Sequence, residues 1–154
     1  MQDINFYIGK QDENSQLIHL IGLLWGRLSS HLDKVLSEVN LNIAKFNILM
    51  IIKHVGQEKG LLQNEISNRL LVTASNITKL LDKLEIDSLI TRNAKENDRR
   101  AKIIKITKKG ADLLDGIWQE YQNAVREISP EISNAEKKTL IKNLQNWADN
   151  ISKL

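Results

Sequence analysis

The chain has 154 residues, 42% of them hydrophobic, a single proline (Pro130) and a formal net charge of +3. That is enough apolar material for one domain with a core, and too little proline and glycine for a disordered chain. It has no cysteine, which excludes disulfides, thiolate metal sites and cysteine-based redox sensing.

In chain order, Met1 to Asn14 reads as a polar arm with a small apolar cluster at Ile4, Phe6, Tyr7 and Ile8. It has no basic stretch followed by an apolar core, so it does not read as a signal peptide. No apolar run approaches the roughly 18 residues that span a bilayer, so no membrane partner is expected. A long helix is expected from about Ser15 to Val39. Its residues Leu17, Ile21, Leu24, Leu28, His31 and Val35 step alternately by four and three, a heptad-like seam interrupted by the histidine. Leu20 and Leu32 widen this stripe, which suits a helix packed both on its own domain and on a second surface. Leu41 to Val55, with Phe46, Leu49, Met50 and Ile52, reads as a second, mostly buried helix. A loop bracketed by Gly56 and Gly60 follows. Leu62 to Leu70 reads as a short third helix with Ile66 and Leu70 turned to the core.

A fourth helix is expected from Thr73, a candidate N-cap. Ile77, Leu80, Leu81 and Leu84 form its apolar stripe, while Ser75, Lys79 and Asp82 point the opposite way and Asn76, Thr78 and Lys83 lie on the flanks. Beyond Leu89 the pattern changes. Ile90–Arg92 and Ile104–Thr107 have the composition of strands, and the polar run Asn93–Arg100 lies between them. Short helix, turn, helix and charged hairpin together make a winged helix-turn-helix. From Thr73 to Gly110 ten Lys/Arg face five Asp/Glu, a local charge of +5, and the rest of the chain sums to −2. One basic segment in a nearly neutral protein suggests a polyanion partner, although a charged hairpin that is merely solvated would look the same.

Thr107 is a candidate N-cap for a fifth helix carrying Leu113, Leu114, Ile117, Trp118, Tyr121, Val125 and Ile128, which Pro130 ends. Ser133-Asn134-Ala135-Glu136 matches a capping box and opens a sixth. There Leu140, Leu144, Trp147, Ile151 and Leu154 form a second heptad-like seam.

Asp98-Arg99-Arg100, a short strand and then Ile106-Thr107-Lys108-Lys109-Gly110 resemble the wing signature of the MarR family of bacterial transcription regulators, and Thr73–Leu84 resembles that family's recognition helix. The resemblance runs from about Ser15 to the C-terminus and is specific from about Leu62 to Gly110. The chain departs from the pattern at Ser67, where the family usually has alanine. It departs again at Leu71 and at Asp87-Ser88, where the family usually places a glycine. The resemblance implies a mainly α fold with a small β-wing. It implies a winged helix-turn-helix over residues 41–107, flanked by dimerisation helices in 1–40 (with the N-terminal arm) and 108–154. It also implies a cytoplasmic homodimer on a double-stranded DNA operator, and a small aromatic effector bound between the dimer helices and the DNA-binding lobe. Members sensing peroxide through a cysteine are poor guides to this chain.

The candidate DNA-binding residues are Thr73, Ser75, Asn76, Thr78 and Lys79 on the helix and Arg92, Asp98, Arg99 and Arg100 on the wing. Small polar or flexible cationic side chains at a helix N-terminus reach base edges and phosphates in a major groove. A solvated helix face has the same composition. Asp98 and Arg100 are two apart and share one side of an extended arm. The resemblance implies that Asp98 orients Arg100 for a minor groove, whereas an exposed ion pair of small energy is the plainer reading. Arg99 faces phosphate or solvent, and Arg92 is a candidate phosphate anchor. His19, His31 and His54 are isolated and read as ordinary helix residues rather than metal ligands. Trp25, Trp118 and Trp147 read as core or interface residues, with Trp25 also a candidate for an effector pocket. No nucleophile elbow, phosphate loop or dinucleotide fingerprint is present, so no catalytic residue, metal or cofactor is expected. The rivals to a dimeric, ligand-responsive repressor are a winged-helix protein-interaction module and a non-specific architectural DNA binder.

Overall fold

A computed structural model describes residues 12–70, 74–95 and 98–153, with the backbone alone at 74, 75, 95 and 98–100. Helix α1 (Glu13–Ser37) starts where the Asp12 carboxylate accepts the amides of Asn14 and Ser15, satisfying donors that have no intrahelical partner. Asn40 then takes a left-handed conformation (φ 58°), and Asn42 caps helix α2 (Ile43–Ile51) by accepting the Lys45 amide. The Asp33 carboxylate of α1 accepts the Ile43 amide at 2.6 Å, which fixes the angle between the two helices. The expected single helix to Val55 instead loosens into a π-helical turn over Ile52–Gly56. The chain returns through Gly60, whose φ of 74° and close approach to the Ile104 carbonyl leave no room for a Cβ.

Leu61–Leu62, whose second residue was expected to open a helix, is instead the two-residue strand β1. Helices α3 (Gln63–Leu70) and α4 (Ala74–Ile86) follow, and then strands β2 (Ile90–Lys95) and β3 (Asp98–Ile106). The antiparallel sheet has the order β1-β3-β2. Leu61 pairs with Ile104 and Arg92 pairs with Ile104 from the other side. The strands run further into the polar stretch 93–100 than composition suggested. Helix α5 (Lys108–Glu127) opens at Thr107, which accepts the Gly110 amide as expected. Helix α6 (Asn134–Ile151) opens on the Ser133–Glu136 capping box, with both reciprocal bonds formed.

One apolar core joins all but the last of these helices to the sheet. Leu36 of α1, Phe46, Ile48 and Leu49 of α2, Ile66 of α3, Ile77, Leu81 and Leu84 of α4, Ile104 of β3 and Leu114 and Ile117 of α5 are buried in it. Phe46 stacks on Tyr121 with ring centroids 4.4 Å apart. Leu80, expected in the α4 stripe, sits at the edge of this core and is half-buried. Helix α6 contributes no buried residue. Among the described residues no helix is long and apolar enough to cross a membrane.

Candidate nucleic-acid interface

Helix α4 is held from beneath by Ile77, Leu81 and Leu84. This stripe fixes the helix's rotation and turns Asn76 and Lys79, one turn apart, outward to solvent. Thr78 stands on the flank, half-buried, and its hydroxyl accepts the Gln63 side-chain amide at 2.8 Å. That bond joins α3 to α4 across the turn, so Thr78 sets the angle between these helices. At the same N-terminal end of α3 the Glu65 carboxylate accepts the Leu62 amide at 2.7 Å. Ser75 lies in the first turn of α4 by its backbone. Thr73 lies outside the described residues.

The wing leaves α4 through a sharp reversal. Ser88 adopts a φ of 58°, the left-handed conformation for which the family usually supplies glycine. The Thr107 hydroxyl donates to the Ser88 carbonyl at 2.8 Å, and the Lys109 ammonium donates to the Asp87 carbonyl at 2.8 Å. A cation and a hydroxyl thus satisfy carbonyls beyond the last helical bonds of α4. Lys45 of α2 lies 3.5 Å from the Asp87 carboxylate and braces the same corner.

Asp98, Arg99 and Arg100 form the start of β3, with Lys95 paired to Asp98 and an irregularity in the ladder between Ala94 and Lys95. Their side chains, and with them the expected Asp98–Arg100 ion pair, lie outside the described residues. Lys102, further along the same strand, is exposed.

Arg92 differs from expectation. Cross-strand partners share a face of the sheet, and Arg92 is paired with the fully buried Ile104. Its side chain therefore points inward toward α4, and only 16% of it is exposed. Its Nη2 donates to the Asp82 carboxylate at 2.5 Å, and its Nε lies 3.2 Å from the Glu85 carboxylate, off the alignment of a hydrogen bond. The side chain read from the sequence as a phosphate anchor is held by two carboxylates of α4. Gln63, Asp82 and Glu85 were not singled out from the sequence as positioning residues. The only trace of the second pair there is the three-residue spacing that puts both on one flank of a helix.

No group of three or more potential metal ligands occurs among the described residues. His31 lies 3.4 Å from Glu127 in a partly exposed pair between α1 and α5.

The arrangement recurs in known proteins. The model of the MarR family matches residues 41–102, from the loop before α2 into β3. The HTH-type transcriptional regulator MhqR of Bacillus subtilis is 28% identical over 125 residues, which cover 81% of this chain and 84% of that protein. The Staphylococcus aureus MepR–DNA complex superposes with a TM-score of 0.78 at 23% identity, over 92% of this chain and 99% of that one. CouR of Rhodococcus jostii, solved bound to p-coumaroyl-CoA, superposes with a TM-score of 0.73 at 24% identity, over 89% of this chain and 92% of its own. At such identities the two structures show the fold, a winged helix-turn-helix between long terminal helices. Residues 41–102, its helix-turn-helix and wing, thus match the MarR family of transcription regulators in sequence, and solved structures match its whole architecture in space.

Proposed function

We propose that the chain is a cytoplasmic, homodimeric repressor that binds a pseudo-palindromic DNA operator and releases it on binding a small aromatic effector. The observation that carries the DNA reading is the outward face of α4, with Asn76 and Lys79 exposed beside a hairpin in the one basic segment of the chain. Thr73, Ser75, Asp98, Arg99 and Arg100 complete the proposed interface, and Thr78 supports it through Gln63. The MepR complex with DNA supports this reading by analogy of fold.

The dimer reading rests on the terminal helices. Leu17, Ile18, Leu20, Leu24 and Trp25 of α1 are 47–60% exposed, and Leu140, Ile141 and Leu144 of α6 are 43–55% exposed. Between α1 and α6 lies an apolar groove of about 590 Å³ lined by Ile18, Ile21, Leu144, Trp147, Ala148 and Ile151. A continuous apolar surface of this kind marks an interaction site, and a two-fold helix-turn-helix protein needs a second copy to meet two half-sites. The division of labour follows: residues 41–107 contact DNA, while 1–40 and 108–154 join the subunits. Leu36 and Leu114 nonetheless tie both flanks into one core.

The effector reading is supported by CouR with its p-coumaroyl-CoA. A cavity of about 220 Å³ between α2 and α5 is lined by Met50, Lys53, His54, Leu114, Asp115 and Trp118. It offers one aromatic wall and an ammonium, Lys53, that is paired with Asp115 at 2.5 Å. A single-ring carboxylic acid fits this chemistry by taking the place of Asp115. The experiment is a gel shift and footprint on DNA flanking the protein's own gene, with and without aromatic acids. Protection of two half-sites on one duplex face, relieved by an acid, is expected. Equal affinity for any duplex would instead establish the architectural binder, and no complex would establish the protein-interaction module.

A further inference from the structure

We infer that Arg92, Asp82 and Glu85 form a clasp that sets the angle of the wing against α4, and that Arg92 acts on DNA recognition by positioning rather than by touching phosphate. This rests on the proposed DNA reading and adds a mechanism to it. The helix surface and the wing must enter neighbouring grooves together, so their relative angle decides whether both can be satisfied at once. The core holds the near end of the hairpin through Ile90 on β2 and Ile104 on β3. Arg92, opposite Ile104, is the next inward-facing residue of β2 after Ile90, since inward positions alternate. Asp82 and Glu85 lie three apart on α4 and present two carboxylates to the one guanidinium. The planar fork of arginine can engage both at once, whereas an ammonium is a single compact charge. Both acids are about half exposed (53% and 45%), so the pairs add little to stability. Their value lies in geometry. A cation flanked by two carboxylates has its charge offset locally and is a poor ligand for phosphate, and the acids themselves repel the duplex.

The two roles give opposite signs when the acids are neutralised. Asp82→Asn combined with Glu85→Gln makes the chain two charges more positive and frees Arg92. A phosphate anchor would then bind every duplex more tightly. A clasp would lose wing alignment, lowering affinity for the operator fragment about tenfold while binding to a scrambled duplex holds or rises. Arg92→Lys, which keeps one pair and the charge, should fall between wild type and the double variant with an unchanged slope of log affinity against log salt. Tighter binding of the double variant to both duplexes overturns the proposal. A second arm reads the clasp without DNA. Amide hydrogen exchange at Arg92, Asn93 and Ala94 should quicken in the double variant while the core amides of α2 stay protected. An unchanged rate overturns the clasp even if DNA binding is lost. If the wild type prefers no duplex, the DNA reading fails, and the exchange arm alone decides the clasp.

Discussion

The Thr107 hydroxyl donates to the Ser88 carbonyl at 2.8 Å and accepts the Gly110 amide at 3.0 Å, so one side chain both closes the exit of α4 and opens α5. It works on a strained corner, because Ser88 occupies the left-handed region. An L-residue there costs about 1–2 kcal/mol that glycine avoids. Ser88→Gly is therefore expected to raise unfolding free energy by about 1 kcal/mol, and Thr107→Val to lower it by about 1 kcal/mol or somewhat more. Urea unfolding of the three proteins decides the matter. A destabilised Ser88→Gly would show that the serine side chain contributes more than its backbone strain removes.

Gly110 lies in the first turn of α5, against Leu89 of the connection between α4 and β2. A Cβ built there runs into the Leu89 carbonyl and approaches the Ile106 side chain to 2.9 Å. Backbone cannot swing away as a side chain can, and the Leu89 carbonyl is already bonded to the Thr107 amide at 3.0 Å. Gly110→Ala should cost about 1–3 kcal/mol, the usual range for overpacking, despite alanine's better helix propensity. Gly116, also in α5, has open space around it, so Gly116→Ala should instead stabilise by roughly 0.5–1 kcal/mol. Thermal melts of the pair that showed the same sign would refute this contrast.

The capping box of α6 makes its integrity depend on pH. The Ser133 hydroxyl donates to the Glu136 carboxylate at 2.7 Å and the Ser133 amide donates at 2.9 Å. These bonds, the hydroxyl's first, hold the Glu136 carboxyl below its usual value. A depressed carboxyl contributes stability that is present above its ordinary pKa of 4.5 and is lost as pH falls through the lower, folded value. Helix content of α6 should therefore be flat from neutral pH down to about 5 and decline below 4. Glu136→Gln should flatten that decline. Hydrogen exchange in the first turn of α6 measures it, and loss of protection between pH 7 and 6 would contradict the assignment.

The exposed seams of α1 and α6 imply that removing one should undo the dimer. Deleting Lys142–Leu154 takes away Leu144, Trp147, Ala148 and Ile151, four of the six residues that line the apolar groove. Obligate interfaces commonly bury on the order of 2,000 Å² or more, and the remainder of α6 keeps Leu140 and Ile141 as its exposed large apolar side chains. Sedimentation should show monomer or aggregate, and a well-behaved dimer of the truncated chain would relocate the interface.

What could be read from the chain alone was what depends on neighbours in sequence. Thr107 and Ser133 announce helix starts because a cap is satisfied within three residues. Ile77, Leu81 and Leu84 announce the buried face of α4 because helical periodicity maps onto burial. The wing was read too short, since its strands run on to Lys95 and from Asp98 through polar residues such as Asn93 and Lys102, which are exposed and carry no apolar alternation. Leu61–Leu62 is too short to carry any period. The inward turn of Arg92 was hidden because it depends on register with Ile104 and on acids seven and ten residues upstream. The π-turn at Ile52–Gly56 left no signal in composition that we can identify.

The last prediction divides the work between helix and wing. Lys79 and Asn76 face outward from α4, and Arg100 belongs to the strand that carries the hairpin away from it. If α4 reads base edges in a major groove, Asn76→Ala or Lys79→Ala should relax discrimination between operator and mutated operator. Each lost base contact should cost about 1–3 kcal/mol. A wing arginine in a minor groove works differently, through the negative potential of a narrow groove. Arg100→Ala should weaken binding to many sequences, most where A·T-rich flanks narrow that groove. It should also reduce the slope of log affinity against log salt by about one. Asp98→Ala should act in the same direction more mildly, because the cation remains and only its orientation is lost. Arg92→Lys, by contrast, should leave the slope alone. Binding by wild type and these variants over a salt series, on operator and scrambled duplex, separates the three roles. Arg100→Ala with unchanged affinity and slope would remove the wing from recognition and leave α4 to read the DNA alone.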